Sequence, residues 1–389
     1  EPFHGSRAAV FMGGMLGALG GVPAPELAAV ATRATLEKSN VDADDIDEVF
    51  MGCVLPAGLK QCPARQTAIA AGIPVSAGAV TVNKACGSGM QAAIFAHDSI
   101  LAGSNRVVLA GGMESMSNAP HLLMGARAGY RIGPATAHDH MMIDGLEDAY
   151  SGGSMGSFAQ RTADDEGLTR EAMDAFAIES LRRAKAAIED GSLRAETAPV
   201  TVRSRRGETV VADDEQPHKA DIEKIPGLRP AFSADGTITA ANSSSISDGG
   251  SALLLMSQSE ARSRGIHGMA RIEAHARHSR EPGEFTLAPI GAIEKVLQRT
   301  GWNADEVDLF EINEAFAMVT MLAMRAFDLP HEKVNVHGGA CAQGHPIGST
   351  GSRIIVTLMH ALRARGGRRG VAALCIGGGE ALAVAIEMV

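Results

Sequence analysis

Two spacings of hydrophobic residues alternate along the chain, one typical of buried strands and one typical of amphipathic helices. Short apolar runs bounded by glycine or polar residues predict strands, whereas longer segments with an apolar residue every three or four positions predict helices. Strands are predicted at 47–55, 80–82, 106–110, 252–256, 307–312, 334–336 and 370–375. Helices are predicted at 23–38, 64–71, 90–101, 169–189, 290–300, 315–327 and 350–365. Strands that alternate with helices indicate an α/β fold with a largely parallel sheet.

The second half of the sequence repeats the order of elements in the first half. A glycine-rich turn at 87–89 is followed by a helix, an apolar strand and the sequence Gly-Gly-Met-Glu at 111–114. The glycine-rich segment 344–351 is followed by a helix, an apolar strand and Gly-Gly-Gly-Glu at 377–380. This echo predicts two duplicated α/β units, in which equivalent strand ends lie together and loops distant in sequence share one site.

The segment between the two units differs from both of them. Residues 116–156 are rich in glycine, histidine, asparagine and methionine and have weak periodicity. A long irregular segment inside a compact protein is usually functional. We therefore predict an N-terminal unit at 1–115 with 247–267, an inserted loop domain at 116–246, and a C-terminal unit at 268–389.

Composition and charge exclude several classes of protein. Hydrophobic residues make up 45% of the 389 residues and no apolar run is long enough to cross a membrane. The net charge of −10 argues against a nucleic-acid-binding protein, which needs a basic face. The five cysteines are odd in number and scattered, unlike a disulfide framework or a paired zinc motif. A reducing compartment is therefore predicted.

Positive charge is concentrated in one part of this acidic chain. The basic residues there are Arg203, Arg205, Arg206, Lys219, Lys224 and Arg229. They form either a solvated face or a site for a ligand that carries phosphate groups.

The first stretch that suggests chemistry is 83–90, Asn-Lys-Ala-Cys-Gly-Ser-Gly-Met. It places Cys86 between a predicted strand and the beginning of a predicted helix. The free N–H groups and partial positive charge of a helix N-terminus stabilise a thiolate and an oxyanion beside it. The alternative is a buried structural cysteine, because free cysteine is among the most buried residue types.

Three more stretches follow predicted strands in the second half. They are Asn313-Glu314-Ala315-Phe316, the segment 338–348 with Cys341 and His345, and Cys375-Ile376-Gly377-Gly378-Gly379. Together with Cys86 they supply a nucleophile, a base, a proton donor and oxyanion donors, the parts needed for acyl transfer.

A metal site is the alternative for part of this set. His337, Cys341 and His345 have the i, i+4, i+8 spacing of one helix face, but Gly338-Gly339 and Pro346 make a helix improbable there. His345 could also be an ordinary loop histidine, and Cys341 is predicted to be structural.

These stretches, in this order, resemble the thiolase family, the acetyl-CoA acetyltransferases, over nearly the whole chain. The resemblance includes the segments 111–117, 228–232 and 247–249. It implies the thiolase fold, with two βαβαβαββ halves in a layered α-β-α-β-α arrangement and an inserted loop domain that binds coenzyme A. It also implies a homodimer or homotetramer that condenses two acetyl-CoA molecules or cleaves 3-ketoacyl-CoA, without a tightly bound cofactor or a metal.

The family's catalytic residues correspond to five positions here. Cys86 is expected to become acetylated, His345 to activate it, and Cys375 to move a proton at the methyl carbon of the second acetyl-CoA. Asn313 is expected to hold a water that, with His345, stabilises the enolate oxygen. The N–H groups of Cys86 and Gly377 are expected to form the other oxyanion hole.

The resemblance also implies a set of residues that bind coenzyme A or border the acyl group. They are Met155, His218, Lys219, Phe232, Ala240, Ser244 and Phe316.

Some positions depart from the family pattern. The hydrophobic first strand expected before Pro2-Phe3 is absent, which predicts a trimmed or lost start. Ser154, Gln160, Gln343 and the segment 243–247 also differ, which leaves the preferred acyl length open. Three alternatives therefore remain: a 3-ketoacyl-CoA thiolase of fatty-acid metabolism that prefers longer chains, a decarboxylating condensing enzyme, and a non-enzymatic lipid carrier or scaffold. Cys375 favours a thiolase over a condensing enzyme, and the presence of Cys86, His345 and Cys375 argues against a scaffold.

Overall fold

A computed structural model describes residues 2–10, 12–205 and 207–389, with side chains described outside residues 2–10. The strands are β1 Pro2–Val10, β2 Gly13–Gly14, β3 Glu48–Gly52, β4 Gly78–Val82, β5 Val107–Ser115, β6 His121–Leu123, β7 Ala137–Asp139, β8 Thr197–Ala198, β9 Val200–Ser204, β10 Gly207–Val211, β11 Ser247–Ser257, β12 Ala270–Ser279, β13 Leu309–Ile312, β14 Arg369–Ile376 and β15 Glu380–Met388. The helices are α1 Ala24–Ser39, α2 Pro63–Ala70, α3 Ser88–Leu101, α4 Met155–Asp165, α5 Arg170–Glu189, α6 Ser192–Glu196, α7 Glu215–Lys219, α8 Gln258–Ser263, α9 Ala288–Thr300, α10 Ala317–Phe327, α11 Ala340–Gln343 and α12 Thr350–Arg365.

The main sheet consists of two arrays with the same internal order. The first runs β4-β3-β5-β11-β1 and the second runs β13-β14-β15-β12. In each array a parallel pair, β3–β5 or β13–β14, is followed by two antiparallel pairs. The arrays meet where β1 and β12 pair through two residues each. This order agrees with the duplication predicted from the sequence, although the sheet is mixed rather than largely parallel.

The strand predictions contain two errors. The strand β1, which begins at Pro2-Phe3 and pairs with both β11 and β12, was not predicted. The predicted strand at 334–336 is reduced to two isolated bridges, Val334 with Phe310 and Val336 with Gly338. A cause for the second error is a sharp turn within the segment, since Asn335 has a positive φ of 48°.

Helices lie between the two arrays and outside them, which produces the predicted five layers. α3 and α12 form the central layer, and their apolar residues share one core with strands of both arrays. α1 and α2 cover the outer face of the first array, and α9 covers the outer face of the second. The central helices touch at their N-termini, where a Cβ on Gly351 would lie 2.4 Å from Met90 N. Only glycine permits this approach, and it brings the loops before both helices together.

Residues 116–246 spread over both halves of the molecule. The β9–β10 hairpin packs through Val200 and Val211 into the core below α1. α4 and α5 instead pack through Ala159 and Phe176 against α10 of the second half. None of the helices in the described ranges has both the length and the apolar character that a membrane span requires.

Candidate active site

A cavity of about 280 Å³ lies at the junction of the two halves, in front of α3 and α12. Cys86, His345 and Gly377 line it, so loops distant in sequence do share one site. Its other walls are mostly apolar and include Met116, Met142, Leu146, Met155, Phe232, Ile246, Phe285, Phe316 and Ile347. The chemistry-bearing groups therefore lie in a space that excludes much of the solvent.

The loop that carries Cys86 is held in a strained turn by Ser88, the first residue of α3. Ala85 has a φ of 43°, which residues with a side chain rarely adopt. The Ser88 hydroxyl donates to the Ala85 carbonyl at 2.6 Å and accepts from the Lys84 N–H at 2.8 Å. The turn therefore fixes Cys86 just before the helix, as the sequence predicted.

The backbone N–H groups of Cys86 and Gly377 lie near enough to the Cys86 sulfur to favour its thiolate and so to lower its pKa. Burial outweighs these donors and raises the pKa of the Cys86 thiol, and the nearby Glu114 carboxyl adds to the effect. The sequence-based expectation of a low-pKa thiolate at the helix N-terminus was therefore wrong. At neutral pH Cys86 is a thiol that needs a base, and the two N–H groups are placed to hold an oxygen bonded near the sulfur.

His345 is buried, and its two ring nitrogens differ in their surroundings. Nδ1 lies 2.6 Å from Thr350 Oγ1, and the Thr350 hydroxyl donates to the Pro346 carbonyl at 3.0 Å. Nε2 is buried and has no protein partner. We assign the ring proton to Nδ1, because a proton on Nε2 would leave a buried donor unsatisfied. The lone pair on Nε2 is then free to accept a proton.

The His345 ring is also uncharged in the free protein. Burial, reinforced by the positive charge of Arg353, lowers the pKa of His345 to about 3. The imidazole is therefore neutral at physiological pH and can act as a base.

Asn313 directly follows β13, and its side chain has no protein partner. Both Oδ1 and Nδ2 are buried and unpaired, while the backbone N–H donates to Ala373 O at 2.9 Å. The next residue, Glu314, anchors the loop by accepting from Ser180 Oγ at 2.7 Å and Asn335 Nδ2 at 2.8 Å. Unpaired buried amides normally bind water or a ligand, so the geometry suits the water-holding role expected of Asn313.

Cys375 lies behind the cavity wall near the end of β14. It is fully buried and packs with Ala315 and Phe316, which do line the cavity. Burial raises the pKa of Cys375 well above its usual value, and the charge of a Cys86 thiolate would raise it further. Cys375 is therefore a proton donor in the free protein rather than a base.

A buried carboxyl group, Glu114, joins the loops around the site and was not recognised from the sequence. Its oxygens accept from the N–H groups of Val54 at 2.9 Å, Leu55 at 3.1 Å and Gly348 at 3.0 Å. Burial raises the pKa of Glu114 to about 7. Its position in the Gly-Gly-Met-Glu echo was the only signal in the sequence.

Four of the seven residues expected to bind coenzyme A or border the acyl group line the cavity. They are Met155, Phe232, Ser244 and Phe316, and the rings of Phe232 and Phe316 make an edge contact at 6.1 Å. Ala240, His218 and Lys219 are exposed and lie outside the lining. Lys219 forms an ion pair with Glu215 on the same helix.

The basic residues are also distributed over several elements. Arg203 pairs with Glu208 across the β9–β10 hairpin at 2.9 Å, and Lys224 pairs with Asp221 at 3.2 Å. Arg205 is exposed, and Arg206 lies outside the described residues.

The metal alternatives are weak in this structure. Helix α11 covers only Ala340–Gln343, so His337 and His345 do not share its face with Cys341. His97, Asp98 and His275 bring donor atoms within 4.8 Å of one another. His97 Nδ1 and His275 Nε2 each lie within 3.0 Å of Asp98 Oδ1, so two hydrogen bonds to one carboxylate oxygen explain that cluster.

The fold and the site together define an acyl-transferring enzyme with two duplicated α/β halves. The sequence family described as thiolase, N-terminal domain, matches residues 5–259, and that described as thiolase, C-terminal domain, matches residues 266–388. The chain belongs to the thiolase family.

Individual relatives agree over nearly their whole lengths. The acetyl-CoA acetyltransferase of Chromobacterium violaceum is 45% identical over 97% of this chain and 96% of its own length. Acetyl-CoA acetyltransferase 2 of Arabidopsis thaliana is 46% identical over 97% and 94%. The crystal structure of the Bacillus anthracis acetyl-CoA acetyltransferase superposes with a TM-score of 0.97 at 37% identity, over 100% of this chain and 98% of that one. The Acat5 thiolase of Ascaris suum, solved in complex with coenzyme A, superposes at 0.95 with 38% identity over 100% of both chains.

Proposed function

We propose that this protein condenses two acetyl-CoA molecules to acetoacetyl-CoA and free coenzyme A, and catalyses the reverse thiolysis. The observation that carries the proposal is the cavity in which the Cys86 sulfur, two N–H donors and the neutral His345 ring come together. The acetyl-CoA acetyltransferases named above are similar over nearly the whole chain, which supports acetyl-CoA as the substrate.

The first stage transfers an acetyl group to Cys86. His345 Nε2 takes the thiol proton, and the sulfur attacks the thioester carbonyl of the first acetyl-CoA. The N–H groups of Cys86 and Gly377 stabilise the oxyanion of the tetrahedral intermediate. Cys375 gives its proton to the departing coenzyme A sulfur, which leaves acetyl-Cys86, a Cys375 thiolate and protonated His345.

The second stage forms the carbon–carbon bond. The Cys375 thiolate removes a proton from the methyl carbon of the second acetyl-CoA, and the enolate carbon attacks the carbonyl carbon of acetyl-Cys86. Protonated His345 and a water on Asn313 stabilise the enolate oxygen. The bond to Cys86 breaks, acetoacetyl-CoA leaves, and the Cys86 sulfur recovers its proton from His345.

The binding of coenzyme A is assigned to the cavity mouth and the segment 116–246. Met155, Phe232 and Ser244 line the route to Cys86, and Phe316 borders the acyl group. His218, Lys219 and Ala240 are assigned to more distant parts of the ligand. The proposed boundaries remain 1–115 with 247–267 for the N-terminal half, 116–246 for the loop domain and 268–389 for the C-terminal half.

We further infer a homodimer or homotetramer in the bacterial cytoplasm or the mitochondrial matrix. The edge strand β4 and helix α3 expose apolar side chains, with Val80 at 46% and Phe95 at 44%, which supports an interface on this face. An alternative function is a 3-ketoacyl-CoA thiolase of fatty-acid metabolism that acts on longer chains.

Four thioesters distinguish the candidates. We expect thiolysis of acetoacetyl-CoA and condensation of acetyl-CoA without a malonyl donor. Preference for a long-chain 3-ketoacyl-CoA would favour the alternative thiolase. Condensation only with malonyl-CoA would indicate a decarboxylating condensing enzyme, and no turnover of any of these thioesters would contradict an enzymatic role.

A further inference from the structure

An ion pair joins the two loops that carry the oxyanion donors. Lys84 Nζ lies 2.5 Å from Glu380 Oε2, although the two residues are 296 positions apart in sequence. Lys84 belongs to the loop before α3, and Glu380 is the first residue of β15. The pair therefore links the N-terminal half to the C-terminal half beside the cavity.

Each end of this ion pair is coupled to an oxyanion donor through a short, tightly bonded segment. The Lys84 carbonyl accepts from the Gly87 N–H at 3.0 Å and its own N–H donates to Ser88, so its backbone is part of the turn around Cys86. Glu380 pairs with Ile376 across the turn that contains Gly377. A shift of either side chain would be transmitted to a donor only a few bonds away.

The Gly377 turn needs an external restraint more than the Cys86 turn does. Gly378 and Gly379 both have a φ of +90°, a conformation that favours glycine, and the turn is held from outside by backbone, since the Arg280 N–H donates to the Gly379 carbonyl at 2.8 Å. Ile376 packs closely against Gly87, because a Cβ added to Gly87 would lie 2.4 Å from Ile376 Cδ1. In addition to this packing contact, the Lys84–Glu380 ion pair joins the Cys86 turn to the Gly377 turn.

We propose that Lys84 and Glu380 are positioning residues whose ion pair keeps the N–H groups of Cys86 and Gly377 at the spacing that one oxyanion requires. The proposal rests on the proposed function, because it assumes that an acyl group is transferred to Cys86. Oxyanion stabilisation depends on donors that are already oriented before the charge develops, so a looser pair of turns lowers the rate of acyl transfer.

A second ion pair, Arg264–Asp45, has nearly the same exposure and serves as a control. Lys84 and Glu380 are 22% and 35% exposed, and Arg264 and Asp45 form a 2.5 Å pair with 21% and 37% exposure. Half-exposed pairs contribute little to stability, so neither pair should matter much for folding. Asp45→Asn is therefore the matched control for Glu380→Gln.

The experiment compares Lys84→Met, Glu380→Gln, the double variant, and the exchanged pair Lys84→Glu with Glu380→Lys. Two rates are measured on each full-length protein. One is the single-turnover acetylation of Cys86 at saturating acetyl-CoA, which passes through an oxyanion. The other is the alkylation of Cys86 by iodoacetamide across pH, which depends on the thiolate but forms no oxyanion.

We expect each single variant to acetylate about tenfold more slowly, well below the loss for removal of a whole donor. The double variant should be no slower than either single variant, the exchanged pair should recover part of the rate, and alkylation should be unchanged throughout. Asp45→Asn should match the wild type in both rates.

Two results would overturn the proposal. Unchanged acetylation in both single variants would show that the ion pair positions nothing. Slower alkylation in Lys84→Met alone, with Glu380→Gln unaffected, would show that Lys84 acts as a charge on the thiolate. A wild-type protein that never becomes acetylated on Cys86 would instead contradict the proposed function.

Discussion

The hydrogen bond between His345 and Thr350 offers a sharp test of how the base is prepared. Thr350→Val keeps the size of the side chain but removes the oxygen that accepts the His345 Nδ1 proton. The buried Nδ1–H is then unsatisfied, and the tautomer with the proton on Nε2 becomes competitive. In that tautomer Nε2 has no lone pair to accept the Cys86 proton.

The expected loss follows from the cost of an unsatisfied buried donor, about 1–3 kcal/mol. Because about 1.4 kcal/mol corresponds to a tenfold change in rate, the acetylation of Cys86 should slow by about 5- to 150-fold. Thr350→Val also removes the hydrogen bond from the Thr350 hydroxyl to the Pro346 carbonyl, which destabilises the fold. The acetylation rate must therefore be compared with the melting temperature of the variant.

Thr35→Val provides the control for this comparison. Thr35 is also fully buried in a helix, and its hydroxyl donates to a carbonyl four residues earlier, Ala31, at 2.9 Å. Single-turnover acetylation is measured by intact-protein mass spectrometry, and the melting temperature is measured for both variants. Similar melting temperatures with slow acetylation only in Thr350→Val are expected. Wild-type acetylation by a folded Thr350→Val protein would refute the tautomer assignment.

Three further predictions concern charge and pH. The pKa of His345 of about 3 means that the ring is neutral above this pH, so the acetylation rate should show no loss centred near pH 6.5, and such a loss would show that the ring is solvated. The pKa of Glu114 is raised from 4.5 to about 7, so the folded state loses stability as the pH rises between these values, by about 3 kcal/mol. Denaturant unfolding at pH 5 and pH 8 should reveal this loss in the wild type, and an equal loss in Glu114→Gln would contradict it. Alanine at Arg203, Arg205, Lys219 or Lys224 should raise KM with little change in kcat wherever the side chain contacts the coenzyme A phosphates, and four unchanged KM values would leave these residues as a solvated face.

Local sequence patterns were sufficient for the elements that repeat between the halves. The turn around Cys86 and its helix could be predicted because glycine spacing and apolar periodicity are local signals. β12 and β15 were not predicted, and β15 is rich in alanine, a residue depleted in strands. These strands form through pairing with each other, which is a tertiary effect.

The electrostatics of the site could not be predicted from the sequence for a related reason. A helix N-terminus suggested a low pKa for Cys86, but burial beneath residues from both halves dominates. The three N–H donors around Glu114 come from loops 59, 60 and 234 positions away. Burial and such convergence depend on the folded structure, whereas the identities of Cys86 and His345 followed from motifs.

The central claim is that two cysteines divide the reaction between acyl transfer and proton transfer at carbon. The most direct measurement incubates the Cys375→Ala variant with acetyl-CoA. It records acetylation of Cys86, formation of acetoacetyl-CoA and exchange of the acetyl methyl protons with deuterated water. We predict that the variant still acetylates Cys86 but loses carbon–carbon bond formation, together with any exchange that the wild type shows. His345→Ala should impair both stages, and Cys86→Ala should abolish labelling. A folded Cys375→Ala protein that condenses acetyl-CoA at the wild-type rate, or an acetyl label on a cysteine other than Cys86, would contradict the account.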